Sequence, residues 1–241
     1  MQTRHGALIL LILIALMASC AKNISYDTSE QKLQKADELF AKKKFARAAE
    51  LYGDIYFERS SASTAYALLR EADSFFNINR FPDARAAYEE FINTFPKHDD
   101  VATAYFQTAL CMYHESLPAQ YDQAETRASI ASFRVFIERF PNDPRTKDAI
   151  EYIRKGQNKI IEKRFQSGYI SYKMKDYSAA LMYFDEVIEL GNTNEPDRKS
   201  LYYSAIISKR QKNTDAARAF YQKLVDKYPD SKEAKKLRRK F

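Results

Sequence analysis

Beyond about residue 30 the apolar positions fall into a fixed register. A small residue stands at Ala36, Ala72, Ala109, Gly168 and Ala205, at intervals of 36, 37, 59 and 37 residues. A second small column, about twelve residues further on in most units, reads Ala48, Ala84, Ser129, Ala180 and Ala217. Four residues past each lies an aromatic (Tyr52, Tyr88, Phe133, Phe184, Tyr221), and three past that an apolar residue (Ile55, Phe91, Phe136, Val187, Leu224). Spacings of four and seven put those side chains on one face of a helix. Small residues let two antiparallel helices approach closely. Three units close on an aromatic followed by proline, at Phe95-Pro96, Phe140-Pro141 and Tyr228-Pro229, and proline stops a helix because it has no N–H to continue the ladder. Short turns recur at Lys44-Phe45-Ala46, Arg80-Phe81-Pro82-Asp83 and Asp176-Tyr177-Ser178.

These columns resemble the tetratricopeptide repeat, and five copies span residues 30–229. The predicted fold class is therefore all-α: an α-solenoid of five tetratricopeptide-like helix pairs. Two intervals are long. On the second column, copies two to three span 45 residues and copies three to four span 51. The first excess falls between the helices of copy three, at Ser116-Leu-Pro-Ala-Gln-Tyr-Asp-Gln123. The second follows Pro141, where Asn142-Asp143-Pro144 reads as a helix start and apolar residues from Ile150 to Tyr172 keep helical spacing. One helix of about 29 residues, roughly 44 Å long, would join copies three and four, with a kink allowed at Gly156.

The amino terminus has another pattern. Residues 7–19 are apolar apart from the last and follow Arg4 and His5; a run of 13 is shorter than the ~20 needed to span a bilayer and reads as a signal peptide. Leu16-Met17-Ala18-Ser19-Cys20 resembles a bacterial lipobox. That resemblance implies a diacylglyceryl and N-acyl lipid on Cys20, no other cofactor, and, with Ala21 next, sorting to the outer membrane. Acylation of Cys20 leaves Cys111 without a disulfide partner, and its setting in Ala109-Leu110-Cys111-Met112 predicts a buried small apolar residue.

The expected organisation is a signal peptide over 1–19, an acylated tether over 20–29, repeats one to three over 30–141 as a substrate groove, the long helix with repeats four and five over 142–229 as a docking module, and a basic helix or tail over 230–241.

Copy three carries a closer likeness. Its segment Asp122-Gln123-Ala-Glu-Thr126-Arg127, continuing to Phe133, Phe136 and Phe140-Pro141-Asn142, resembles the extended third repeat of the BamD family, the lipoproteins of the outer-membrane β-barrel assembly machine. The resemblance implies a non-enzymatic adaptor on the periplasmic face of the outer membrane, held by its lipid. Its partners would be the carboxy-terminal segments of unfolded outer-membrane proteins, the periplasmic domains of BamA, and other lipoproteins of the machine. The amino-terminal copies would take substrate and the carboxy-terminal copies would dock. The competing reading is a periplasmic tetratricopeptide scaffold for peptidoglycan or cell division, which usually begins with a coiled coil where this chain has its first helix pair.

Candidate binding residues follow from the register. Phe40, Phe76 and Tyr113 lie four beyond the small anchor and either pack between helices or form an aromatic row for an extended peptide, to which Asp37, Asp73, Asn77 and His114 would offer polar contacts. Arg198, Lys199 and Tyr202 open copy five. Two cations there oppose the helix dipole, so they either serve a partner carboxylate or are solvated surface side chains. Catalytic signatures are absent: His114-Glu115 continues as Ser-Leu-Pro, so there is no H-E-x-x-H helix, and no P-loop, G-x-S-x-G or C-x-x-C occurs. An enzyme is not expected.

Composition adds one point. The chain of 241 residues has 39 Lys+Arg against 32 Asp+Glu, a formal charge of +7, which on its own admits nucleic acid as a partner. Yet residues 223–241 hold eight basic and three acidic side chains. The excess is thus local to the end of the chain, and with a secretion signal in front no nucleic-acid partner is expected.

Overall fold

The computed structural model describes residues 28–58 and 63–240, and among these the chain is helical throughout, with no strand. Eleven helices follow in order: α1 Ser29–Ala41, α2 Phe45–Glu58, α3 Thr64–Asn77, α4 Phe81–Thr94, α5 Val101–Glu115, α6 Ala124–Arg139, α7 Thr146–Lys173, α8 Tyr177–Glu189, α9 Glu195–Arg210, α10 Thr214–Lys227 and α11 Lys232–Arg238. Each packs chiefly on its neighbour in sequence. The five pairs are α1/α2, α3/α4, α5/α6, the second half of α7 with α8, and α9/α10. The signal peptide, Cys20 and nearly all of the tether lie outside the described residues.

The columns read from sequence are the core. Every member of both small columns is buried, as are Tyr52, Tyr88, Phe133, Phe184 and all five apolar residues three further on; Tyr221 is half-buried. The core divides into local clusters, one for each pair and its neighbour, as expected of a solenoid whose repeats touch only adjacent repeats. Cys111 is fully buried and unpaired, and burial pushes its thiol up to about 12.

Four inter-helix turns are built alike. Lys43, Asn79, Lys175 and Lys212 sit at φ 56°, 60°, 65° and 63°. The next residue's N–H bonds back five residues, as in Lys44 N to Leu39 O and Asp176 N to Ser171 O. This is the left-handed helix termination glycine usually serves, here made with lysine and asparagine in a chain of only five glycines. Copy three has the 116–123 loop instead.

The long helix is continuous over 28 residues, about 42 Å. It begins at Thr146, with Asp143 Oδ1 accepting from Arg145 N (2.9 Å) just before it. Gly156 lies within it without interrupting it. A Cβ there would lie 2.9 Å from Ile130 Cγ1, so the glycine lets α6 lie against α7. Gly168 does the same for Phe184 of α8, at 2.8 Å.

Candidate functional site

The first helix of each pair carries the candidate groove residues, and the second helix fixes their geometry. Asp37 lies one residue beyond the small anchor Ala36; its Oδ1 accepts from Tyr52 OH of α2 (2.5 Å) and from Tyr66 OH of α3 (3.0 Å). Asp73, at the same place in copy two, accepts from Tyr88 OH of α4 (2.7 Å) on Oδ1 and from Arg70 Nη1 (3.1 Å) on Oδ2. Burial, then the neighbouring carboxylates, raise Tyr52 and Tyr88 well above the ordinary tyrosine value, so both stay protonated donors. Where the anchor is followed by an apolar or aromatic residue, as at Leu110 and Tyr169, the partner position holds Phe133 or Phe184, which has no hydroxyl to donate. The acid thus meets a tyrosine in copies one and two, while copy five has Tyr221 in the column although Ile206 follows its anchor.

This revises the expected role of the two aspartates. They hold helices together, with Oδ1 of each engaged by tyrosine hydroxyls of neighbouring helices. Asn77, exposed, donates its Nδ2 to Asp73 O of its own helix (2.8 Å).

The aromatic row is built of two stretches, each joined by side chains that the register alone does not reveal. Arg70 lays its guanidinium 3.8 Å over the Phe40 ring and bridges to Asp73, so copies one and two share one surface. Burial opposes its charge, but the Tyr66 and Asp73 oxygens outweigh that and hold it above the usual arginine range. Phe76 meets Phe81 edge-on at 5.4 Å and His114 at 5.8 Å, while His114 stacks on Phe81 at 4.7 Å with planes 12° apart. Burial lowers the His114 pKa, so the ring is neutral near pH 7. Tyr113 follows at 6.0 Å from His114, packs on Tyr152 of α7 at 4.9 Å and has Lys159 Nζ 5.1 Å from its ring. Of the expected residues, Asp37, Phe40 and Asp73 are thus brought together through Tyr66 and Arg70, and Phe76, Tyr113 and His114 through ring contacts, while Asn77 bonds within its own helix. Arg70, Tyr66, Phe81, Tyr152 and Lys159 complete the two stretches. The signal for Arg70 was present as an i,i+3 pair with Asp73; its seat on Phe40 depends on contact between repeats.

The docking residues need correction. The first turn of α9 carries Glu195 and Asp197, which suit the helix dipole, and the two cations that follow already have carboxylates. Arg198 Nε lies 3.0 Å from Glu233 Oε2 of α11, and Lys199 pairs with Glu195 one turn back. Tyr202 is only 8% exposed, packed in the core between α9 and α11, with Lys236 Nζ 5.7 Å from its ring. The physical reason is that α11 folds back on α9. Asp197 itself is fully buried and is met by Lys227 Nζ (2.8 Å) and Tyr228 OH (2.6 Å).

The loop of copy three is clasped rather than loose. Gln123, 2% exposed, donates Nε2 to the carbonyls of Pro118 (2.9 Å) and Tyr121 (3.1 Å) and accepts from Thr126 Oγ1 (2.7 Å). Lys159 Nζ reaches Ser116 Oγ (2.8 Å) and Lys163 Nζ reaches Gln120 O (2.6 Å), tying the loop to α7. Among the described residues no group of three or more His, Cys, Asp or Glu is placed to hold a metal, and no helix is long and apolar enough to cross a membrane.

Comparison with known proteins bears on this arrangement. A family model described as "Outer membrane lipoprotein" (YfiO) matches residues 19–207, and a tetratricopeptide repeat model matches residues 199–231. The chain is 30% identical over 195 residues to the outer membrane protein assembly factor BamD of Rickettsia prowazekii (strain Madrid E), covering 80% of this chain and 78% of that protein. It is 25% identical over 124 residues to BamD of Caulobacter vibrioides, covering 52% of this chain and 41% of the relative. Among solved structures, a MamA RS-1 double mutant aligns with a TM-score of 0.44 at 10% identity, over 83% of this chain and 94% of that one.

Proposed function

Because this chain belongs to the YfiO family of outer membrane lipoproteins, which takes in the BamD assembly factors, we propose that it is a lipid-anchored adaptor of outer-membrane β-barrel assembly. Membership carries association with the outer membrane and a non-catalytic part in outer membrane protein assembly. The finer reading concerns what the two ends of the solenoid hold. The face of repeats one to three receives the carboxy-terminal segment of an unfolded barrel precursor in extended form. Repeats four and five dock on the periplasmic domains of BamA, other lipoproteins of the machine join there, and Cys20 carries the acyl anchor on the periplasmic face.

The observation that supports the groove is a pair of linked stretches, Phe40–Arg70–Asp73 and Phe76–His114–Tyr113, whose Asp73 and Phe76 stand three residues apart on α3. Their rings stand edge-on or stacked and leave apolar faces beside a fixed guanidinium and two carboxylates. An extended peptide places alternate side chains on one side, so aromatic residues meet the rings while its backbone N–H groups find the aspartate oxygens. Ring contacts of this kind contribute about 0.5–1.5 kcal/mol beyond area burial, so losing one ring weakens binding by roughly three- to tenfold.

The test is peptide affinity. A fluorescent peptide ending in an aromatic residue is titrated into the intact protein and into Phe40→Ala and Phe76→Ala variants of unchanged helicity. The reading predicts weaker binding for both; unchanged affinity in both refutes the groove.

A further inference from the structure

At the far end of the solenoid α11 lies across the end of α9 and closes a cavity of about 360 Å³ whose lining includes Lys209, Arg210, Lys236, Lys240, Tyr172 and Tyr202. Four of its eight lining residues are cations and none is an acid. Glu233, the only acid of α11, is turned to Arg198 and lines a neighbouring cavity instead. The carboxy-terminal ends of α9 and α11 bring about half a negative charge each. Among the described residues the four side chains outweigh these two partial charges, so the lining is cationic.

The geometry points to a binding site for the phosphate of an anionic lipid headgroup. Several features carry it. The cations come from two helices and converge on one space: Arg210 is oriented by its Nη1 bond to Tyr177 OH (2.9 Å), Lys209 Nζ reaches the Lys240 carbonyl, and Lys236 lies over Tyr202. Arginine offers phosphate a planar fork of donors and lysine a compact charge, and the tyrosine walls suit the carbon framework of a headgroup. Outside the pocket, Lys232, Lys235 and Arg238 of α11 and Arg239 just after it are exposed, with Lys235 Nζ 3.6 Å from Asp230 Oδ1. A cationic row of this kind draws a protein to an anionic membrane surface, with each Lys or Arg strengthening the attraction about fivefold. An outer membrane lipoprotein works beside such a surface. The site is separate from the groove of repeats one to three, and neither depends on the other.

The experiment uses the full chain extracted from membranes and returned to nanodiscs of phosphatidylcholine alone or with phosphatidylglycerol, read by hydrogen exchange over residues 205–240. Phosphatidylglycerol is expected to slow exchange there by about fivefold for each pocket cation engaged. Lys236→Ala/Lys240→Ala abolishes that slowing, while Lys235→Ala/Arg239→Ala, which removes the same charge outside the pocket, weakens association with the nanodiscs but leaves the slowing in place once they are saturating. Glycerol 3-phosphate is expected to compete the protection away. Equal loss in both double variants would reduce the effect to diffuse attraction and overturn the pocket. Protection by inorganic phosphate without any from phosphatidylglycerol would make the ligand a free anion, and protection by a poly-glutamate peptide alone would make it an acidic protein; either overturns the lipid assignment.

Discussion

Gln123→Ala tests the physical reasoning behind the third repeat. Gln123 is buried and makes three well-placed bonds, to two loop carbonyls at 2.9 and 3.1 Å and from Thr126 Oγ1 at 2.7 Å; a fourth contact, at 3.5 Å to Leu117 O, adds little. At about 1 kcal/mol net for each bond, the substitution costs about 3 kcal/mol. The rotamer entropy alanine no longer loses, about 1–1.5 kcal/mol, roughly offsets the lost packing of the side-chain stem. Thr126 is fully buried, so its hydroxyl has no route to water once Gln123 is gone. The assay is urea unfolding by far-UV circular dichroism, with hydrogen exchange over residues 116–123 to locate the effect. A cycle with Thr126→Val should show about 1 kcal/mol of coupling. A loss under 1 kcal/mol, or strict additivity with Thr126→Val, would refute the view that Gln123 is the clasp.

Further outcomes follow from other parts of the fold. Burial, then the charge of Asp54, raises Glu71 from 4.5 to about 7. The folded state thus keeps a proton that the unfolded chain has released, and stability falls as pH rises from about 4.5 to 7. Glu71→Gln removes that loss, so by thermal melts it should be more stable than the parent by about 1–2 kcal/mol at pH 8 and nearly equal at pH 5, after discounting for solvent screening. Lys175 occupies the left-handed region at φ 65°, which costs a side-chain-bearing residue about 1 kcal/mol, so Lys175→Gly should raise the melting temperature; a lower one contradicts the turn assignment. Tyr88→Phe removes the donor to Asp73 and should cost about 1.5 kcal/mol in urea unfolding, while Tyr105→Phe, whose hydroxyl makes no such bond to an aspartate, should cost less than 0.5.

The solenoid was legible because its determinants are local and periodic. A small residue at Ala72, another at Ala84, then Tyr88 and Phe91, specify a helix pair wherever they recur, and those positions are buried. The long helix was legible for the same reason, although Gly156 reads as a kink until Ile130 is seen against it. Contacts between elements distant in sequence were not legible. Arg70 is an ordinary helix-surface arginine until α1 brings Phe40 under it. Arg198 reads as an unpaired cation until α11 delivers Glu233, 35 residues later. Tyr202 read as a surface residue for the same reason, since its cover lies beyond the last repeat. Asp37 and Asp73 read as free groove carboxylates, but their tyrosine partners, 15 residues on, redirect much of their hydrogen bonding inward.

The central claim is that this chain works as an adaptor of barrel assembly at the outer membrane. The most direct measurement is to purify the full chain, tagged at its carboxy terminus, from detergent-solubilised membranes and identify the proteins that remain with it after a salt wash. The account predicts recovery of BamA in amounts comparable to the bait. Recovery of cell-division or peptidoglycan proteins with no BamA would contradict it.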